Sequence, residues 1–167
     1  MRSLNLFVLG LMVACLFMAC DNEKVVTHMP TFRGFSVVNG SAGHSQPQHG
    51  DILTITAVQK TQGNRINTTV YSWKLTDSNN KELYSISKSL VYGVDASDPK
   101  VLYQVPDSVV GTVTVTFEAE YHFSADLDGF SPAISNDPEY VGSIRTSASS
   151  LLGRASGTCT FNVLPKY

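Results

Sequence analysis

One segment restricts the fold more than any other: Gly111 to Phe123, GTVTVTFEAEYHF. Val113, Val115, Phe117, Ala119 and Tyr121 fall at every second position, and Thr112, Thr114, Thr116, Glu118, Glu120 and His122 fill the places between. Successive side chains of a strand point to opposite faces, so this alternation predicts one core face and one wet face of an antiparallel sheet. It predicts Val113, Val115 and Phe117 buried, with Thr114, Thr116 and Glu118 turned to water. The same period recurs in Thr68–Leu75, TTVYSWKL, where Tyr71, Trp73 and Leu75 share a face.

Shorter candidates lie at 32–38, 51–58, 82–94, 101–105, 140–147 and 155–164. Polar, Gly- and Pro-bearing stretches separate them, the longest being 39–50 and 124–139. After residue 20 no apolar stripe appears at helical spacing, and Thr, Val, Tyr and Ser suit pleated strands. The expected architecture is an all-β sandwich of about seven to nine antiparallel strands, with a small closed barrel as the alternative. Residues 31–167 form one domain, with neither repeat nor second domain.

The start of the chain obeys a different logic. Arg2 precedes an uncharged apolar run, Leu4 to Ala19, which ends abruptly at Cys20-Asp21-Asn22-Glu23. The run is short for a membrane-spanning helix and has the charge order of an export signal. Its end, Phe17-Met18-Ala19-Cys20, resembles the lipobox of bacterial lipoproteins. That resemblance implies removal of residues 1–19 and diacylglycerol and acyl chains on Cys20, anchoring the protein to a membrane. Residues 20–30 then read as a lipidated N-terminus and polar tether that adds little to a core.

Cys15 leaves with the signal and Cys20 takes the lipid, so Cys159 stands alone and no internal disulfide is expected. It is read as a small buried side chain. Twelve Lys and Arg against fourteen Asp and Glu give a net charge of −2, with no basic cluster. Nucleic acid, which rewards a dense positive surface, is therefore not an expected partner.

A further resemblance covers roughly residues 50–123. Tyr71-Ser72-Trp73-Lys74-Leu75 is similar to the third strand of immunoglobulin-like and PKD-like sandwiches, where a tryptophan packs between sheets. Gly50–Ile55 resembles the strand before it, and Val105-Pro106-Asp107 with Gly111–Val115 resembles the turn and strand beyond. The paired inter-sheet cysteines of antibody-type domains and the Gly-Asp turn of PKD domains are absent. The whole layout is similar to small lipoproteins of Bacteroidetes-type bacteria. This implies an outer-membrane location with display on the cell surface, and O-glycosylation of Ser108 within Asp107-Ser108-Val109.

Catalytic constellations are sparse. No GxSxG, HExxH, CxxC or P-loop follows the signal. Glu118 and Glu120 share a strand face, as a wet sheet surface would. His44 and His49 share one loop but are too few for a typical zinc site. Asp126-Leu127-Asp128-Gly129 begins like a calcium loop, yet Phe130 stands where an EF-hand needs a donor, so only a weak Ca²⁺ site near Asp126 and Asp128 is expected. The sequence favours a non-catalytic module that binds a glycan or an envelope or host protein. The expected contacts lie in loops 39–50 and 124–139: His44, Gln46, Gln48 and His49 in one, and Asp126, Asp128, Phe130, Asn136 and Asp137 in the other. Phe130 would stack on a sugar ring. A structural or spacer role, or an enzyme with an unfamiliar site, are the alternatives.

Overall fold

The structure, a computed structural model, describes residues 26–41, 45–91, 98–124, 127, 130–135 and 137–166. Residues 1–19, expected to be an export signal, and Cys20 lie outside the described residues.

Among the described residues eight strands follow one another: β1 (Thr31–Asn39), β2 (Ile52–Thr61), β3 (Ile66–Thr76), β4 (Glu82–Val91), β5 (Lys100–Gln104), β6 (Gly111–Phe123), β7 (Ser143–Ser149) and β8 (Leu152–Val163). Every strand pairing is antiparallel. They form a three-stranded sheet, β1-β2-β5, facing a five-stranded sheet, β4-β3-β6-β8-β7. The molecule is thus a β-sandwich with a strand count inside the expected range. The barrel alternative fails because the sheets stay separate, each ending in edge strands.

The period-two reading of β6 holds along its length. Val113, Val115, Phe117, Ala119, Tyr121 and Phe123 are buried, while Thr112, Glu118 and His122 are exposed and Thr114 and Thr116 are partly covered. Trp73 is buried between the sheets, its ring 6.3 Å from Phe35 on the opposite one. Phe117 is the hub of an aromatic cluster. Its ring lies 4.6 Å from Trp73 and 6.1 Å from Tyr71 on the same sheet, and 5.6 Å from Phe32 and 6.3 Å from Phe35 on the opposite one. Each such buried ring contributes about 1.5–3 kcal/mol through apolar area, and edge-on pairs add to it.

Two expectations from the sequence need correction. The polar stretch 59–67 is mostly strand: β2 runs on to Thr61 because β1 offers Thr31 as its ladder partner, and β3 starts at Ile66, opposite Phe123. Residues 26–30, expected to belong to a polar tether that adds little to a core, instead pack on the domain. Met29 is buried against Phe123 and Gly153, and Thr27 is buried too. The Asn64 side chain accepts a hydrogen bond from the His28 N–H at 2.7 Å and donates one to the Val26 carbonyl at 3.0 Å. The Asn64 N–H also donates to the His28 carbonyl. Residues 26–30 are therefore a strap on the domain, and it reads as polar only because its partner, Asn64, is remote in sequence.

Candidate functional site

The described parts of loop 39–50, residues 39–41 and 45–50, are bolted to one end of the sandwich. The buried Asp51 carboxylate accepts hydrogen bonds from Asn39 Nδ2 at 2.7 Å and from the Gln48 N–H at 3.0 Å. The Gly50 N–H donates to the Val105 carbonyl, and Leu164 donates to Pro47. His49 Nε2–H donates to the Val109 carbonyl at 2.9 Å, so this ring ties two loops together. His44 lies outside the described residues.

The connection 124–139 leaves from the other end, after Phe123, where Leu127 donates to the Ser150 carbonyl. Asp126, Asp128 and Asn136 lie outside the described residues. Phe130 is half-buried and packs with Leu127 against the core, so its ring is partly committed to the fold. Further on the segment is not irregular: Ala133 and Ser135 bond with Thr146 and Ile144 of β7. Residues 137–140 then turn, and Val141 exchanges both backbone hydrogen bonds with Phe35 of β1, at 2.8 and 3.0 Å. Because the two long loops depart from opposite ends, the structure does not bring His49 and Phe130 into one site.

What the second loop does build is a cleft of about 830 Å³ on the flank where the two sheets meet. One wall is the start of β1 and the end of β2, with Arg33, Lys60 and the hydroxyls of Thr31 and Thr61, which bond each other at 2.8 Å. The other wall is Ala133, Ile134 and Ser135 with Asp137 and Pro138, backed by Ile144 and Thr146 of β7. Ser135 is only 8% exposed, and its buried Oγ has no hydrogen-bond partner among the described residues. The Asp137 Oδ1 accepts the Glu139 N–H, which fixes the turn at the rim.

Sequence reasoning missed Arg33 and Lys60 as a pair. The ladder aligns Thr31 with Thr61 and then Phe32 with Gln59, and the bulge between these pairs leaves Lys60 out of register. Nothing local in the sequence marks that bulge. The approach of 140–142 that shapes this flank depends on Gly142. Its φ is +69°, and a Cβ there would run into the Thr158 carbonyl and Cys159.

The other candidates resolve simply. Glu120 accepts hydrogen bonds from Arg154 at 3.2 Å and from His122 at 3.0 Å, on the outer face of the larger sheet. Glu118 is exposed beside it. Among the described residues no group of three or more His, Cys, Asp or Glu side chains could hold a metal ion. Burial pushes the Cys159 thiol up to about 12, so it is a protonated core side chain at neutral pH. Ser108 is exposed on the turn closed by the Val109 N–H to the Pro106 carbonyl. No known protein family matches the chain, and no curated protein is similar to it.

Proposed function

We propose that the chain is a lipid-anchored lipoprotein of the outer membrane, displayed at the cell surface. Its immunoglobulin-like sandwich is a non-catalytic recognition module for a glycan. The flank cleft carries this reading. Its volume falls in the range of small-ligand sites, and it mixes hydroxyls and charged groups with the apolar Phe32, Ile134 and Ile144. A sandwich holds its strands rigid and leaves such a wall to a connecting segment.

The strap supports a definite orientation. Residues 20–25 span at most about 20 Å when extended. With acyl chains on Cys20, the end of the domain bearing Val26 and Asn64 stands near the bilayer. Loop 39–50 and the Ser108 turn then face away from it, where Ser108 is open to glycosylation. A glycan array probed with the full chain in detergent tests the proposal. Wild-type protein is expected to retain a defined set of glycans, and Thr61→Trp, which fills the cleft from an exposed position, is expected to lose them. Retention of the same set by Thr61→Trp would remove the cleft from the account.

A second reading has its own observation. The outer face of the smaller sheet exposes Val38, Ile52 and Leu102 together, which favours a protein contact within an envelope assembly.

A further inference from the structure

The cleft is not neutral, and its charges narrow what it would hold. Resting on the proposal that it binds a glycan, we infer that the ligand is a saccharide bearing a carboxylate, with Arg33 and Lys60 as its counter-charges. Both cations line one wall, and neither forms an ion pair with any described acid. A guanidinium presents two parallel N–H donors that match a carboxylate, and an ammonium beside it adds an unoriented point charge.

The opposite wall limits the charge of the ligand. Asp137 lines it, and Glu139 follows two residues on. A densely sulfated or phosphorylated polymer would meet the Asp137 carboxylate, whereas a single carboxylate on an otherwise neutral ring can sit on the cationic side alone. A sugar's hydroxyls can then donate to Asp137 and pair with the hydroxyls of Thr31 and Thr61, which line the same cleft. An acidic peptide fits less well. The β1 edge beside the cleft is already closed at Phe35 by Val141, which blocks strand addition there.

Calorimetry on the full chain in detergent tests the assignment. The probes are oligosaccharides carrying glucuronate, galacturonate or N-acetylneuraminate, each against its carboxyl-reduced neutral form, and a glutamate-rich peptide. At least one acidic saccharide is expected to bind about tenfold or more tighter than its reduced form, with affinity falling as salt rises. The double variant Arg33→Gln, Lys60→Gln should erase that ratio while keeping the thermal melt, because both residues are exposed. Equal binding of acidic and neutral saccharides, abolished by Thr61→Trp, would overturn the charge inference and leave the glycan module standing. Binding of the peptide alone, or of none of the probes, would overturn both.

Discussion

The two sheets share one interior but present unlike faces to the outside. On the larger sheet the register lines up Ser85, Lys74, Thr116, Thr158 and Ser143 in one row across five strands. Ser87, Ser72, Glu118, Ser156 and Arg145 form the next. Almost every outward position there is a hydroxyl or a charge. On the smaller sheet the row Val38, Thr54, Leu102 leaves Val38 55% and Leu102 62% exposed, with Ile52 at 50% alongside. A polar outer face therefore describes the larger sheet and fails on the smaller one. A face that lives in water needs no outward apolar side chain, whereas clustered ones mark a contact.

The comparison assumes that the interior is a single core, and the largest expected effect tests that. Phe117 touches Tyr71 and Trp73 on its own sheet and Phe32 and Phe35 on the other. Phe117→Ala should destabilise the fold by about 3–5 kcal/mol. Denaturant melts followed by Trp73 fluorescence and by far-ultraviolet circular dichroism should shift together, as one cooperative unit requires. Separate transitions would show two sheets that melt independently.

A smaller loss is expected where the sheets are joined at the flank. Gly142→Ala forces an L-residue into a left-handed conformation against the Thr158 carbonyl. The backbone conformation alone should cost about 1–3 kcal/mol. Amide exchange should quicken at Val141 and Phe35, whose mutual hydrogen bonds depend on this approach. Unchanged exchange there would place the join elsewhere.

Alkaline pH should separate the sheets' contributions further. Burial raises Cys159 from 9.0 to about 12 and lifts Tyr121 well above its ordinary value, both on the larger sheet; on the smaller, Tyr103 is also raised. In each case the folded state prefers the protonated form. The resulting stability is complete below the unfolded value, near pH 9 for Cys159, and is lost as pH climbs towards about 12. Urea melts at rising pH should show stability falling through this window, and Cys159→Ala should flatten part of the fall. A pH-independent midpoint in Cys159→Ala and wild type alike would contradict the burial of these groups.

Legibility followed locality. β6 could be read to its ends because burial alternates along it and both of its neighbours are strands. The face carrying Trp73 was equally clear. The extensions of β2 and β3 into 59–67 were not, since Gln59, Lys60 and Thr61 are polar and their pairing depends on β1. The strap at 26–30 was hidden for the same reason, its hydrogen bonds being satisfied by Asn64. Both long loops were visible as loops. What they do was not: Phe130 looked free because the sequence cannot show the core beside it, and the cleft depends on a bulge and a cross-sheet approach. Arg33, Lys60 and Ser135 come together from three separate parts of the chain.

The smallest expected change in stability tests the contrast between the outer faces most directly. Leu102 and Thr114 are both outward-facing strand residues, one on each sheet. Leu102→Thr replaces an exposed apolar side chain by one with good strand propensity, and Thr114→Leu does the reverse. Neither disturbs the interior, so each should alter unfolding free energy by no more than about 0.5 kcal/mol. The difference should appear instead in association. If the row Val38, Thr54, Leu102 is a contact face, Leu102→Thr should reduce concentration-dependent self-association or partner capture in sedimentation of the detergent-solubilised chain. Thr114→Leu introduces one isolated apolar group among hydroxyls, too little to form a patch, and should leave sedimentation unchanged. Equal behaviour of the two variants would mean that the smaller sheet's apolar row is ordinary exposed surface and that the two faces differ in composition without differing in role.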